Sequence, residues 1–362
     1  MEPILSWENL AAQVCNGASL TRPQAQSILD CPDSEILSLI HGAYAIRQKF
    51  FGRRVKLNFL LNAKSGLCPE DCSYCSQSKA AKSGVEQYPF LSKDEILQAA
   101  GRAVETKAKR FCMVNSGRGP TDGEVSQIAG AVKEVRSQYP QLEVCVCLGL
   151  LKEDQAKTLK ESGVHAYNHN LNTSESHYSK ICGTHNYQDR EETIAVARAA
   201  GMSSCSGCLF GLGEQNDDRI DLAFRLKELQ AESIPINFLM AIAGTTLKPQ
   251  EKLSPQQCIK ILAMFRFVNP SASLRIAGGR EHHLRWLQPL GLYIANSIFI
   301  GDYLTTKGQK PQSDLEMIRD LGFEIEGAEM GAEMDTELHT KSDTESDTKS
   351  TEISENFSVQ LK

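Results

Sequence analysis

Three cysteines that lie close together, Cys68, Cys72 and Cys75, constrain this chain more than any other feature. Their spacing, C-x3-C-x2-C, supplies three thiolates, which can hold three irons of a four-iron cluster and leave the fourth iron open to a small molecule. Ordinary four-iron sites use four cysteines, and structural zinc also prefers four closed ligands. The spacing therefore predicts a catalytic iron–sulfur cluster, with a zinc site or inert cysteines as the alternatives.

The composition is that of a globular protein that keeps its thiols reduced. The chain has 362 residues, of which 41% are hydrophobic, 23% are charged and twelve are cysteines. The N-terminus lacks the basic segment and apolar core of a secretory signal, and no apolar run approaches the roughly 18 residues of a membrane span. We therefore expect a cytoplasmic protein with no membrane partner, in which so many cysteines indicate metal binding or catalysis.

The charge is distributed unevenly along the chain. The net charge is −6, and residues 324–362 carry 11 acidic residues and three lysines, a balance of −8. The remainder has 36 basic and 34 acidic residues, so nothing in this nearly neutral body favours a nucleic-acid partner. Residues 325–362 are biased in composition and have almost nothing to bury, which predicts a disordered acidic tail.

An alternation of strand-like and helix-like segments predicts an α/β fold. The predicted strands are 55–62, 109–115, 142–149, 164–171, 202–210, 235–240, 272–277 and 293–299. The predicted helices are 93–106, 121–138, 152–162, 189–200, 215–231, 254–268, 280–287 and 312–321. Eight such units in roughly 250 residues favour a closed (β/α)8 TIM-type barrel, with an open doubly wound sheet as the alternative. In either fold, function lies at the carboxyl ends of the strands, where the cysteine motif follows the first strand.

The segment before the barrel contains two helix starts. They are Thr21-Arg22-Pro23-Gln24 and Pro32-Asp33-Ser34-Glu35, and each is followed by apolar residues at helical spacing. The predicted domains are thus an N-terminal helical cap over 1–50, a barrel over 51–324 and the tail over 325–362.

Side chains alternate along a strand, so parity shows which residues share a face. Asn168, Asn170 and Asn172 share one face of the fourth predicted strand. Buried polar groups need partners, and the row of amides therefore indicates a polar-lined lumen that binds a ligand. The alternative is a ladder of amides that satisfy one another.

Further cysteines lie on strands that face the same lumen. These positions, with two polar residues on later strands, are Cys112, Cys145, Cys147, Cys205, Asn237 and Arg275. Their convergence would make a second, deeper metal site, although free cysteine is also a common small buried hydrophobe. Cys145 and Cys147 share a face, so the spacing does not choose between them.

The remaining cysteines are expected to be structural. Cys208 follows Cys205 by three residues and should point to the opposite face of a regular strand. Four others have no metal-like spacing and are predicted to be plain thiols: Cys15, Cys31, Cys182 and Cys258.

The motif after the first strand resembles that of the radical S-adenosylmethionine superfamily, and several runs make the chain similar to the biotin synthase family. These runs are 62–67, 110–113, 167–170, 205–207, 235–237, 274–276 and 295–299. They extend over almost the whole chain before the acidic tail. Cys112, Cys145, Cys205 and Arg275 together narrow the resemblance to that family.

The resemblance implies a homodimeric radical sulfurtransferase that converts dethiobiotin to biotin. Its cofactors would be a [4Fe–4S] cluster, S-adenosylmethionine and a [2Fe–2S] cluster. A 5′-deoxyadenosyl radical would remove hydrogen from an unactivated carbon, and the [2Fe–2S] cluster would donate the sulfur. An electron-donor protein such as a flavodoxin or ferredoxin would supply the electron. The alternative functions are a radical enzyme without sulfur insertion and a non-catalytic iron–sulfur or zinc protein.

The resemblance also implies roles for individual residues. The ligands of the [4Fe–4S] cluster would be Cys68, Cys72 and Cys75, and those of the [2Fe–2S] cluster Cys112, Cys145, Cys205 and Arg275. Asn170 and Asn237 would hold the ureido ring of the substrate, while S-adenosylmethionine would contact Tyr74, Asn170, Asn172 and Arg190. Position 172 departs from the family pattern, because some members have Asp there.

Overall fold

The strands form a closed parallel barrel in the computed structural model, which describes residues 6–327. The strands are β1 Arg54–Lys64, β2 Arg110–Asn115, β3 Glu143–Cys147, β4 Ala166–Asn168, β5 Ser203–Cys205, β6 Cys208–Phe210, β7 Ser233–Phe238, β8 Ser273–Ile276, β9 Ser297–Ile300 and β10 Glu324–Ile325. Parallel pairing follows the sequence order around the barrel, and β9 pairs with β1 to close it. Both β5 and β6 pair with β7, so they are two halves of one barrel strand and the barrel has eight strand positions.

Three helices precede the first strand, and the others lie between successive strands. They are α1 Trp7–Cys15, α2 Arg22–Leu29, α3 Ile36–Phe51, α4 Lys93–Glu105, α5 Asp122–Gln138, α6 Glu153–Glu161, α7 Glu175–Tyr178, α8 Tyr187–Ala199, α9 Asn216–Glu228, α10 Pro255–Val268, α11 Arg280–Leu284, α12 Gln288–Gly291 and α13 Pro311–Asp320. Several begin with a capping box, in which a Ser or Thr side chain and a Glu or Gln three residues later each bond the other's backbone N–H. No helix among residues 6–327 is long and apolar enough to cross a lipid bilayer.

The TIM-type barrel predicted from the sequence is confirmed, and the alternative of an open sheet is wrong because β9 pairs with β1. Each of the eight predicted strands overlaps an observed strand. The fifth predicted strand, 202–210, is interrupted at residues 206 and 207, and the short helices α7 and α12 were not predicted.

The N-terminal helices pack on one side of the barrel. Helix α1 contacts α3, and α2 and α3 both contact α10. Strand β10 adds a short parallel pairing to β1, with Ile325 opposite Val55. The predicted boundary of the acidic tail therefore falls inside this strand, and residues 328–362 of the predicted tail lie outside the described residues.

Strand alternation separates a large outer core from a small inner cluster. On β2, Phe111 and Met113 pack in the outer core, while Cys112 points into the lumen. On β3, Val144 packs in the outer core and Cys145 points into the lumen. The inner cluster consists of Cys112, Cys145, Ala166, Cys205, Ala277 and Phe299. Barrel interiors are commonly filled by bulky branched side chains. Thiols and alanines in their place leave room for a ligand.

Candidate active site

Three thiols meet inside the lumen, on strands β2, β3 and β5. Cys112 pairs in register with Cys145, and Cys145 lies in hydrogen-bonding contact with both Cys112 and Cys205. None of the three is more than 4% exposed. Parallel register and side-chain alternation together bring these thiols to one level of the barrel.

The surroundings favour the thiolate form of two of these thiols, Cys112 and Cys205. A hydrogen bond from Cys145 lowers the pKa of Cys112 and of Cys205, and the nearby guanidinium groups of Arg275 and Arg110 lower both further. The same hydrogen bonds, with burial, raise the pKa of Cys145. Because the thiolate is the form that binds a metal, the two cationic side chains favour metal binding here.

Arg275 lies on the far side of the same level, on β8, and is 1% exposed. Its Nη2 donates to Ser233 Oγ at 3.1 Å and its Nε to Ser297 Oγ at 3.4 Å. Its Nη1 lies 4.0 Å from Cys205 Sγ, and the guanidinium carbon lies 4.9 Å from the centre of the Phe299 ring. The two serines thus fix the guanidinium beside the thiols.

Arg110 is a second buried cation, one alternation before Cys112 on β2, and sequence reasoning missed it. Its Nε donates to Glu143 Oε2 at 2.9 Å, while its Nη1 has no hydrogen-bond partner among the described residues. Burial opposes both charges, but Arg110 and Lys56 lower the pKa of Glu143 to about 2. The signal was available in the sequence, because Arg110 and Cys112 have the same parity on β2.

Two further cysteines lie near the three thiols but differ from them in position. Cys147 lies two residues after Cys145 on the same face of β3 and pairs in register with Val114. It lines one cavity together with Cys112 and Cys145. Cys208 packs in the outer core rather than in the lumen. The interruption at residues 206 and 207 lies between Cys205 and Cys208, whose side chains point to different sides of the sheet.

Above the thiols, two amides face a cavity of about 160 Å³. Asn170 Oδ1 accepts the backbone N–H of Gly207 at 3.0 Å, and Asn237 Oδ1 accepts the backbone N–H of Gly278 at 2.9 Å. Tying the oxygens to backbone donors decides which way each amide points. The Nδ2 of Asn170 has no hydrogen-bond partner in the described part of the chain. Asn237 Nδ2 donates one hydrogen to the Cys208 carbonyl at 3.0 Å and keeps one. Both amides can therefore donate to a ligand.

The three amides on β4 and in the residues after it differ in their bonding. Asn168 Nδ2 donates to Asn170 Oδ1 at 3.0 Å and to Cys205 Sγ at 3.2 Å. Asn172 has a left-handed backbone, with φ 71°, and its Nδ2 donates to Tyr74 OH at 2.6 Å. The amide ladder predicted as an alternative thus exists between the first two members only. Tyr74, Asn170 and Asn172 line a neighbouring cavity of about 250 Å³.

Arg190, on α8, is 8% exposed and lies behind this wall. Its Nη1 donates to the Asn170 carbonyl at 2.6 Å, its Nη2 to His185 Nε2 at 2.9 Å, and its Nε to Tyr178 OH. Nη1 and Nη2 each carry a second hydrogen. The guanidinium is therefore held in place by the protein and retains donors.

The first cysteine motif lies in the long loop after β1. Its backbone is folded by local bonds, from Cys68 N–H to the Gly66 carbonyl at 2.7 Å and from Cys75 N–H to the Cys72 carbonyl at 3.1 Å. Gly66 has φ +80°, and a Cβ there would come within 2.5 Å of the Gln87 side chain. Burial raises the pKa of Cys68 and of Cys75.

The two acidic residues inside the motif fasten it to residues 183–185. Asp71 Oδ1 accepts the backbone N–H groups of Gly183 at 2.9 Å and Thr184 at 3.1 Å. Glu70 is 4% exposed and bonds the Thr184 hydroxyl and His185 Nδ1. These bonds hold Asp71 and lower its pKa to about 2, although burial alone would raise it.

Cys182, predicted to be a plain thiol, lies beside the first motif. The Cys72 thiol donates to Cys182 Sγ at 3.7 Å, and His185 Nδ1 lies 3.3 Å from the same sulfur. The hydrogen bond from Cys72 lowers the pKa of Cys182 to about 4 and, with burial, raises that of Cys72. Sequence spacing gave no signal for this contact, because the two cysteines are 110 residues apart.

Both donor sets suit iron–sulfur clusters. The lumen set offers three buried sulfurs with two guanidinium groups, and the unpartnered Nη1 of Arg110 is a buried donor that a cluster sulfide could accept. The loop set offers three sulfurs, two of them in partly exposed residues. Clusters are held by cysteine thiolates and tuned by hydrogen bonds to their sulfurs, and both conditions can be met here.

Family models match most of the barrel. The model of the radical SAM superfamily matches residues 64–226, and that of the biotin and thiamin synthesis associated domain matches residues 235–324. Biotin synthase of Bacillus cytotoxicus is 52% identical over 322 residues, covering 89% of this chain and 97% of the relative. Biotin synthase of Bacillus subtilis is 53% identical over 323 residues, covering 89% of this chain and 96% of the relative.

Solved structures share the fold at low sequence identity. Methylornithine synthase superposes with a TM-score of 0.77 at 17% identity and covers 87% of this chain and 97% of its own. The FeFe-hydrogenase maturase HydG of Carboxydothermus hydrogenoformans superposes with a TM-score of 0.73 at 18% identity and covers 88% of this chain and 79% of its own. These two likenesses concern the fold alone.

Proposed function

The chain belongs to the biotin synthase family, and we propose that its two cysteine sets hold the two iron–sulfur clusters of that family. It is a radical S-adenosylmethionine enzyme that inserts sulfur into dethiobiotin to form biotin. When bound, the [4Fe–4S] cluster and S-adenosylmethionine supply the 5′-deoxyadenosyl radical, and the [2Fe–2S] cluster supplies the sulfur.

The observation that carries the residue assignment is the meeting of Cys112, Cys145, Cys205 and Arg275 at one level of the lumen. We assign them as the ligands of the [2Fe–2S] cluster, with Arg275 supplying a nitrogen in place of a fourth thiolate. Cys145 is favoured over Cys147 because it contacts both other thiols. A radical enzyme that inserts no sulfur would not need this second set.

Cys68, Cys72 and Cys75 are assigned as the ligands of the [4Fe–4S] cluster. Three thiolates ligate three of its irons and leave one for the amino and carboxylate groups of S-adenosylmethionine. The bonds from Asp71 and Glu70 to residues 183–185 hold the loop in place. A loop fixed in this way orders the three sulfurs before a cluster binds.

The substrate is placed between the two cluster sites. Asn170 and Asn237 donate from Nδ2 to the carbonyl oxygen of the dethiobiotin ureido ring, because their own oxygens are held by backbone N–H groups. Leu60 and Phe299 line the same cavity and suit the alkyl part of the substrate. The carbon to be sulfurated would then lie close to the lumen thiols.

S-adenosylmethionine is placed along the wall formed by Tyr74, Asn170 and Asn172. The hydrogen bond between Asn172 and Tyr74 orients both side chains. Arg190 contributes a buried positive charge toward the carboxylate through its remaining hydrogens. Asn172 accepts a ribose hydroxyl through Oδ1 without the negative charge that an Asp would bring.

Three further properties belong to the same proposal. The enzyme works as a homodimer and receives electrons from a small carrier such as a flavodoxin or ferredoxin. It resides in the cytoplasm, which agrees with twelve cysteines that form no disulfide in the structure and with the reducing conditions that keep thiols available as ligands.

Anaerobic reconstitution tests the assignment. We expect roughly six irons per chain for the native sequence. Cys145→Ala should lose the [2Fe–2S] absorption and about two irons, while the first cluster remains. Cys147→Ala, the matched control on the same strand face, should keep both clusters. Loss of the second cluster in the control and not in Cys145→Ala would reverse the assignment. Formation of biotin from dethiobiotin, S-adenosylmethionine and a reductant tests the activity itself.

A further inference from the structure

We propose that Cys72 and Cys182 form a reversible disulfide when the chain meets hydrogen peroxide before its clusters are loaded. The two sulfurs are 3.7 Å apart and already in contact. Cys72 is 8% exposed and Cys182 is 6% exposed, so a small oxidant can reach the pair more easily than a large one. Cys182 belongs to neither of the two proposed cluster sets, although its sulfur contacts a member of one of them.

The backbone on both sides holds the two cysteines opposite each other. Ser73 N–H donates to the Ile181 carbonyl at 2.8 Å, directly after Cys72 and directly before Cys182. On the other side, Asp71 Oδ1 accepts the N–H of Gly183 at 2.9 Å. The hydrogen bonds therefore lie next to both cysteines in the chain. A disulfide needs close Cα atoms and converging Cβ vectors, and two segments fastened in this way can close the bond with a small change of rotamer.

The group around Cys182 suits a disulfide better than a bound metal ion. Cys72, Cys182 and His185 together have the residue types of a metal site. However, His185 Nδ1 bonds Glu70, and His185 Nε2 accepts a hydrogen from Arg190 at 2.9 Å. Both ring nitrogens are therefore engaged, one of them by a guanidinium cation, which disfavours a second cation beside it. The two thiols are left to react with each other.

The chemistry balances with one molecule of hydrogen peroxide. The sulfur of Cys182 attacks one peroxide oxygen, the O–O bond breaks, one water leaves and a sulfenic acid forms. The sulfur of Cys72 then attacks that sulfur, the S–O bond breaks and a second water leaves. The two thiols lose two electrons and two protons, and the peroxide gains both. A dithiol reductant reverses the change by thiol–disulfide exchange.

The disulfide and the first cluster exclude each other, which rests on the proposed role of Cys72 as an iron ligand. A sulfur bonded to Cys182 has no thiolate to offer iron. The disulfide also keeps Cys72 from oxidation to sulfinic and sulfonic acids, which thiols do not reverse. Cys182 thus preserves a cluster site that awaits its iron.

To test for the disulfide, the full chain is purified without clusters, reduced and treated with one equivalent of hydrogen peroxide. Non-reducing peptide mapping should show a Cys72–Cys182 crosslink. Iron uptake should fall by about four per chain, and dithiothreitol should restore it. Cys182→Ser should give no crosslink. With several equivalents of peroxide, which carry an unpaired thiol past sulfenic acid to sulfinic acid, its lost iron uptake should not return with dithiothreitol, whereas that of the native sequence should. Cys258→Ser, a buried thiol outside both sets, should behave like the native sequence.

The outcomes separate this inference from the proposed function. A reduced chain that loads both clusters, but whose peroxide product lacks the crosslink or joins other cysteines instead, overturns the inference and leaves the function standing. A crosslinked chain that still takes up its full iron overturns the exclusion. A reduced chain that cannot load a cluster at the first motif overturns the proposed function, whatever the peptide map shows.

Discussion

Asn170→Asp removes the Nδ2 hydrogen-bond donor that we place against the substrate. In the native side chain, Oδ1 accepts the Gly207 N–H at 3.0 Å, which leaves Nδ2 to face the cavity. An Asp keeps an oxygen for Gly207 and has nearly the same shape. It places a second acceptor where Nδ2 was, so the ureido carbonyl loses one of its two proposed donors and faces an acceptor instead. The substitution removes the donor, adds a negative charge and leaves the packing of the site almost unchanged.

The expected loss follows from the cost of an unmade hydrogen bond. A buried acceptor that loses one donor and faces another acceptor costs about 1–3 kcal/mol, which corresponds to a roughly 5- to 150-fold rise in the Kd for dethiobiotin. Equilibrium binding to the cluster-loaded enzyme, with S-adenosylmethionine present, measures this directly. Iron content and the melting temperature of the variant should stay close to those of the native chain.

Asn170→Ala is the informative contrast. It removes the donor but also the acceptor of the Gly207 N–H, a buried group. We therefore expect similarly weak binding together with a stability loss of about 1–3 kcal/mol. If Asn170→Asp binds dethiobiotin as tightly as the native enzyme, the amide does not donate to the ureido carbonyl and the proposed substrate pose is wrong.

Two further substitutions test the residues that surround the lumen thiols. The pKa of Glu143 is lowered to about 2, so its interactions stabilise the fold fully above about pH 4.5 and are lost as the pH falls toward 2. In Glu143→Gln, the free energy of unfolding in urea should therefore fall less between these pH values, by up to about 3 kcal/mol. An unchanged pH dependence would contradict the ion pair with Arg110. At Gly207 a Cβ would lie 2.1 Å from the Pro235 carbonyl oxygen, so Gly207→Ala should lower the melting temperature and reduce loading of the second cluster. The control Gly130→Ala, whose Cβ would meet nothing within 4 Å, should change neither. Equal melting temperatures for the two variants would show that the strand can shift.

The barrel could be predicted because the outward faces of its strands are consistently apolar. Val144 and Val146 on β3 pack in the outer core, and each such run is followed by an amphipathic helix. The interruption of the fifth strand could not be predicted, since it depends on how closely Gly207 approaches Pro235 on the neighbouring strand. Nothing in the run Cys205-Ser206-Gly207-Cys208 distinguishes a break from a regular strand.

For the site as well, local sequence predicted some features, whereas others depend on contacts between distant segments of the chain. Strand parity placed Cys112, Cys145 and Cys205 toward one lumen, because parity is a property of each strand alone. The choice of Cys145 over Cys147 required the register of β2 against β3. Arg275 came from family resemblance, since no argument from spacing makes a guanidinium a ligand, and its two serine partners were found only in the structure.

Cys182 shows why a cysteine's sequence neighbours do not reveal its function. Its position is set by bonds between two loops, from Asp71 to Gly183 and from Ser73 to Ile181, whose residues are more than 100 positions apart. The cluster loop needs such fastening, because three sulfurs must be held in place without a regular element beneath them. The segment that fastens it runs beside the cysteines, so the side chain at position 182 lies against Cys72, a proposed cluster ligand. In this chain that side chain is a thiol, which gives the fastening segment a redox chemistry that Ser at position 182 would lack.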